Sequence, residues 1–353
     1  MESKENIKHH ADELAAYMEE AMVSVTSSYL KDPEVLKIQD TVIGTLGNFS
    51  ASIGKAKSKK TFNVSALVAA ALSNGTVLQY QASFPDNKRK ILYIDTEQGK
   101  NHCLKVLKRI LRLANLPMDV DPENLRVYAL RKYSPEIRLQ IIQHAIEQEP
   151  NLGLVIIDGI RDLMYDINSP SEATNTISNL MQWTDDKQIH IHTILHQNKN
   201  DEHARGHIGT ELSNKAETII QVEVDKDDSN ISTVTPVHIR DREFSPFAFR
   251  INEESLPELV ELKSRQSGRK AKDPFDPYKE ISEQEHRQAL ANAFINGDIP
   301  RYDELIKKLK EGYLSVGIKL NNNKCVTLVT FLRNKRMVVA EDKVYKLVPD
   351  FHY

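Results

Sequence analysis

The sequence predicts an α/β fold in which a mainly parallel sheet lies between layers of helices. Three observations carry that expectation. From Thr41 to Glu261, short apolar runs alternate with helical segments at the spacing of strand–helix units. Two runs, Ile91–Asp95 (ILYID) and Leu154–Asp158 (LVIID), are apolar until they end in an acid, as buried strands opening into a cleft do. The loop Gly54–Lys60 is rich in Lys and stands between a strand and an apolar helix.

Taken in order, Ala11–Val25 places Leu14, Met18, Met22 and Val25 at helical spacing, so residues 1–40 are read as a helical segment followed by a loop. The first strand is Asn48–Ile53, and an apolar helix runs from Thr61 to Asn74. Strand Ile91–Asp95 is followed by helix 100–114, strand Arg126–Ala129, helix 135–148 and the buried strand Leu154–Asp158. Helix 171–187 leads into strand His190–Leu195, and Thr218–Val224 with Thr233–Arg240 reads as an antiparallel pair closing one edge. Residues 41–262 thus make one domain. The stretch 263–277 is basic, polar and Pro-bearing, as linkers are. Residues 278–353 hold helices at 281–296, 300–311 and 323–334, then the hairpin-like MVVAEDKVYKL.

The chain of 353 residues has a net charge of −3 that conceals an asymmetry: residues 265–353 carry +5 and the remainder −8. Such a division is one signature of contact with nucleic acid. Cys103 and Cys325 stand far apart, which excludes a disulfide framework or a CxxC metal site. The N-terminus lacks the apolar core of a signal peptide and no apolar run approaches a membrane span, so the expectation is a cytoplasmic protein without a membrane partner.

The chemistry concentrates in NFSASIGKAKSKKTFN. Gly54 and the Lys59-Lys60-Thr61 triplet fit the phosphate-loop pattern G-x-x-x-x-G-K-[ST], with Lys59 at the second glycine. In such a loop, backbone N–H groups and a helix N-terminus cradle phosphates. Gly54, Ser58, Lys59, Lys60, Thr61 and Phe62 are the candidate nucleotide contacts. Lys60 would reach the β- and γ-phosphates, and the Thr61 hydroxyl with Asp158 would hold Mg²⁺. By itself the stretch reads better as a solvated Lys-rich loop; the motifs that follow are what favour the phosphate loop. Glu97, just after ILYID, is placed to activate a water, while Asp95 supports the metal or caps the loop. His196 and Gln197, ending the His190 strand, are candidates to sense the γ-phosphate. His190 and His192 alternate on one face and read as strand-edge residues without a metal-ligand spacing.

GKAKSKKT, ILYIDTEQ, LVIIDGIRDL and ILHQNK, in that order and spacing, resemble the RecA-like ATPase core over residues 40–260. The likeness is to hexameric helicases of the plasmid RepA type and their DnaB-type relatives, including ATPases of bacterial mobile elements. That resemblance implies ATP and Mg²⁺ as cofactors, Glu97 as the catalytic glutamate, Asp158 as the Walker B aspartate and Gln197 as the sensor. It also implies self-association, hexameric in those relatives, with Arg240 and Arg242 reaching a neighbouring subunit's nucleotide. Surface ion pairs with Asp241 or Glu243 are the plain alternative for these arginines. The family's loop after the sensor strand implies a contact of Arg205 or His207 with DNA or nucleotide. The departure at Lys59 requires a tolerated backbone angle or a rearranged loop.

The C-terminal helices and hairpin resemble a winged-helix domain, which places Lys324, Arg333, Lys335 and Arg336 on or near a recognition helix and wing, suited to DNA phosphates. A protein-docking module fits the same pattern. The expected fold is therefore a RecA-like P-loop NTPase core with a small winged-helix-like α+β domain. The expected function is ATP hydrolysis acting on DNA, as a RepA-type helicase or DNA-dependent ATPase in replication or mobilisation of a mobile element, alongside that process's proteins. The alternatives are a non-motor ATP-dependent DNA-binding regulator and an adaptor with a decayed nucleotide site.

Overall fold

The computed structural model describes residues 4–197, 206–240, 242–262, 275–341 and 344–351. The chain divides into two compact units, Met1–Leu262 and Lys263–Tyr353.

Helix α1 (Lys4–Ala21) opens the first unit, and its Leu14, Tyr17 and Met18 are exposed. Where a loop is expected before residue 41, β1 (Glu34–Ile38) instead pairs antiparallel with β2 (Thr41–Thr45). A domain boundary at 40 would cut this hairpin in two. The turn gave no warning because it carries no glycine or Asn-Gly pair; Gln39 takes the left-handed conformation itself, at φ 55°. Strand β3 (Phe49–Gly54) leads into α2 (Lys60–Ser73), and β4 (Thr76–Val77) and β5 (Tyr80–Ala82) complete a four-stranded sheet of order β2-β1-β5-β4.

The remaining elements are β6 (Lys90–Asp95), α3 (Lys100–Leu113), β7 (Leu125–Ala129), α4 (Pro135–Gln148), β8 (Leu152–Asp158), α5 (Pro170–Lys187), β9 (His190–His196), α6 (Gly206–Lys215), β10 (Thr218–Val224), β11 (Ile231–Ile239), β12 (Phe247–Ile251) and β13 (Pro257–Val260). They and β3 form a nine-stranded sheet, β13-β12-β11-β10-β3-β9-β8-β6-β7. The strands from β10 to β7 are parallel, while β11, β12 and β13 add an antiparallel meander, longer than the expected pair.

Alternate residues of the buried strands go to opposite faces, which is why two cores form. Ile91, Tyr93, Leu154 and Ile156 pack with Val64, Leu67 and Val68 of α2 and Val106 and Ile110 of α3. Leu92, Ile94, Val155 and Ile157 pack with Ile142 of α4, Ile177 and Leu180 of α5 and Leu212 of α6. Burial on both faces explains the continuously apolar strands, each Val, Leu or Ile contributing about 1.5–3 kcal/mol. This is an α/β arrangement, a mainly parallel sheet between layers of helices.

His190 and His192 are not edge residues, because β9 lies between β3 and β8 and both rings are fully buried. His190 Nδ1 lies 2.9 Å from the Thr45 carbonyl and its Nε2 lies 2.7 Å from Ser50 Oγ. Ser50 Oγ is 2.7 Å from His192 Nδ1, and Ser52 Oγ is 2.8 Å from His192 Nε2. One proton assignment satisfies every member: Ser52 and Ser50 donate to Nε2 atoms, and both Nδ1–H groups donate onward. Burial lowers both imidazole pKa values, that of His192 to about 3.

In the second unit, α7 (Pro277–Glu280) and α8 (Glu283–Ala293) precede Ile299, which bridges antiparallel to Tyr345. Helices α9 (Tyr302–Leu314) and α10 (Asn322–Asn334) follow, then the hairpin β14 (Val338–Glu341) and β15 (Val344–Leu347). Its core gathers Leu290, Leu309, Tyr313, Cys325, Leu328, Leu332 and Met337. A capping box between Ser282 and Glu285 starts α8. No helix among the described residues is long and apolar enough to cross a membrane.

Candidate functional site

The C-terminal ends of β3, β6, β8 and β9 converge on a cleft of 330 Å³, lined by Lys57, Lys59 and Lys60 together with Thr61, Phe62, Glu97, Gln98, Asp158 and His196. This is where parallel α/β sheets bind ligands, beyond the carboxyl ends of their strands.

The loop folds as its sequence requires. Gly54 ends β3 so close to β10 that a Cβ there would lie 2.3 Å from the Val222 carbonyl oxygen, so only glycine fits. Lys59, in place of the family's second glycine, adopts the left-handed conformation at φ 66° and ψ 28°. The loop is therefore not rearranged; a lysine takes the glycine conformation, at a strain of about 1–2 kcal/mol. Its ammonium reaches the β10–β11 turn, donating to the Ser229 carbonyl at 2.6 Å with Ser232 Oγ at 3.4 Å. Ser58 is buried and its hydroxyl has no hydrogen-bond partner among the described residues.

Helix α2 starts at Lys60, so its N-terminal N–H groups and positive dipole end face the cleft. Lys60 Nζ donates to the carbonyls of Gly54 (2.8 Å) and Lys55 (2.9 Å) and lies 3.1 Å from His196 Nδ1. Burial lowers its pKa to about 8 against the pull of Asp158 and Glu97.

Thr61 Oγ1 and Tyr93 Oη both donate to Asp158 Oδ2, at 3.2 and 2.9 Å. Burial, reinforced by Asp95, raises the Asp158 carboxyl to about 7. A buried carboxylate beside a hydroxyl, both facing a phosphate loop, is the donor set that Mg²⁺ takes when substrate phosphates complete its coordination. No larger group of metal-ligating side chains occurs among the described residues. Thr61 and Asp158 thus fit the ion.

β6 and β8 run in register, Asp95 opposite Asp158. Asp95 Oδ1 accepts from the N–H groups of Glu97 (3.0 Å) and Gln98 (2.7 Å), so it caps the loop that carries Glu97. Glu97 Oε1 lies 3.4 Å from His196 Nε2, and that hydrogen bond, opposed by burial, holds the carboxyl below its usual range.

His196, rather than Gln197, lines the cleft. Gln197 is buried with its backbone N–H donating to Gly54 O at 3.1 Å, so it ties the end of β9 to the loop. Arg240 and Arg242 do not join the cleft. Ile239 pairs with Thr218, which pairs with Ser50, so the register puts Arg240 at the end of the sheet away from Gly54. Ser50 and Gly54 are about 13 Å apart along β3. Both arginines are exposed, and neither forms an ion pair among the described residues; Asp241 lies outside these, as does Arg205. His207, also exposed, is the second residue of α6.

The four C-terminal cations do not form one patch. Lys324 lies 3.5 Å from Glu280 and over the Phe275 ring, and Lys335 lies over Tyr278. Arg333 and Arg336 are exposed near the other end of α10, about 14 Å from Lys324 along its axis. The opposing acid and rings thus engage two of the four within the unit.

The sequence reading missed one face of α3. His102, Lys105 and Arg109 line the cleft at helical spacing. The Arg109 guanidinium stacks 3.6 Å over the Phe62 ring and donates to Ser255 O at 3.3 Å. The signal was present as a basic, i/i+3/i+7 stripe directly after Glu97.

Residues 31–202 match the family model described as an AAA domain. The crystal structure of the RadB recombinase is similar at a TM-score of 0.45 and 15% identity, over 61% of this chain and 92% of that one. A search of curated proteins finds no match.

Proposed function

We propose that the chain is an ATP-hydrolysing protein acting on DNA, a RepA-type helicase or DNA-dependent ATPase. The observation that carries this reading is the meeting of Lys60, Thr61, Glu97 and Asp158 in one cleft from the ends of three strands, β3, β6 and β8. Lys60 and the N-terminus of α2 attract the phosphates. Glu97, held on a loop capped by Asp95, accepts the proton of the attacking water. Thr61 and Asp158 would hold Mg²⁺, which would supply positive charge to the phosphates. Arg240 and Arg242, remote from their own cleft, serve a neighbouring chain, which makes self-association part of the activity.

The second unit runs helix, bridging residue, two helices and hairpin, the order of a winged helix, and we assign it to DNA with Arg333 and Arg336 foremost. A decayed-site adaptor is the reading that Lys59 favours and that the retention of Lys60, Thr61, Glu97 and Asp158 in one cleft opposes.

ATP turnover measured with and without single-stranded DNA tests the proposal. Strong stimulation supports it, and nucleotide binding without turnover supports the adaptor. Nucleotide binding undiminished in Lys60→Ala would refute the phosphate-loop assignment.

A further inference from the structure

Lys60 has three protons and, in this structure, three acceptors: the Gly54 and Lys55 carbonyls and His196 Nδ1. It has none left for a phosphate. To bind one it must give up a partner, and the partners are unequal. Two belong to the loop backbone, while the third is an imidazole nitrogen on a side chain that is 39% exposed. Exchanging that imidazole for an anionic oxygen is the least costly move, because a charged acceptor makes the stronger bond.

The same ring holds Glu97. An ammonium donating to Nδ1 leaves the ring's proton on Nε2, and Nε2 is the atom 3.4 Å from Glu97 Oε1. The Lys60 contact therefore fixes the tautomer that binds Glu97, and removing it frees the ring to carry its proton on either nitrogen. The grip on Glu97 is long for a hydrogen bond and half-exposed, hence easily broken.

We propose that His196 is a positioning residue that stores Glu97 while the phosphate site is empty: it bridges Lys60 and Glu97, and arrival of the phosphates at Lys60 breaks the bridge and releases Glu97 toward the water. The inference rests on the nucleotide reading given above. While stored, Glu97 is a weaker base, since the imidazole bond lowers its pKa. Storage would thus restrain hydrolysis until Lys60 is engaged.

The test uses the full chain, a fluorescent non-hydrolysable ATP analogue with Mg²⁺, and the variants His196→Ala, His196→Asn and His196→Gln. Ala removes the bridge, and Asn is too short to span both partners. Gln offers a carbonyl to Lys60 and an amide N–H to Glu97. Losing one competing hydrogen bond should tighten analogue binding in the Ala and Asn variants by about 3- to 10-fold. Their KM for ATP should fall while DNA-independent turnover at saturating ATP rises, and Gln should return both towards wild type. Should Ala fail to fold by circular dichroism, the Asn and Gln pair decides. Unchanged or weaker analogue binding in Ala or Asn overturns the storage role, as does turnover that falls at constant KM. Failure of the wild-type chain to bind the analogue overturns the nucleotide reading itself.

Discussion

Replacing Lys59 with glycine and, separately, with alanine isolates the strain held in the phosphate loop. Lys59 occupies φ 66° and ψ 28°, where a side chain costs about 1–2 kcal/mol. Alanine keeps that strain and loses the amine's contacts with Ser229 and Ser232. Glycine loses the same contacts but releases the strain, against about 0.4–1 kcal/mol of extra unfolded-state entropy. The amine's contribution cancels between the two variants. Glycine should therefore exceed alanine in stability by about 1 kcal/mol. In a unit of this size that is a Tm difference of about 2–4 °C. The chain's single tryptophan, Trp183, is buried in α5, so its fluorescence during urea or thermal unfolding reports on the first unit alone. An alanine variant as stable as the glycine variant, or more so, would refute the reasoning.

Other outcomes are expected. Asp158 titrates near 7 when folded against 3.8 in model compounds, so the metal-free protein should lose stability as pH rises from about 4 to 7. Asp158→Asn should abolish that loss, gaining about 3–4 kcal/mol at pH 8 in urea unfolding, while eliminating ATP turnover. The buried His192 has the opposite sign: its folded pKa of about 3 lies below the ordinary imidazole value of 6.5, so its contribution is intact above 6.5 and lost as pH falls towards 3. His192→Gln should flatten that acid limb. Lys60→Ala and an Arg240→Ala/Arg242→Ala double variant should each be inactive alone and regain ATPase activity when mixed; no recovery would argue against action between chains. Arg333→Ala/Arg336→Ala should weaken DNA binding and reduce the slope of log K against log salt by about 2.

The sequence made the central sheet legible where burial on both faces forces long apolar runs, as in β6 and β8. It left β1, β2, β4 and β5 unread, because short strands of a small side sheet carry no such run. The four principal site residues were legible because each stands at the end of a strand or the start of a helix, where side chains must face the cleft. Other contacts were not. Arg109 reaches Phe62 only through the packing of α3 on α2. Ser50, Ser52, His190 and His192 look like unremarkable strand residues until β3 and β9 pair. His196 shows its double contact only when three strand ends meet, and the separation of Arg240 from Gly54 appears only in the register.

That register gives the molecule polarity. Under the proposed function, each chain has a receiving end, with its phosphate loop, and a giving end, with its two arginines. Two copies joined once make one finished centre and leave one cleft unattended. Every open string, however long, keeps one idle cleft at a terminus, and only a string that closes on itself employs all of them. Turnover per chain should therefore climb with chain concentration and level off where closure is complete, which makes the rate itself a gauge of assembly.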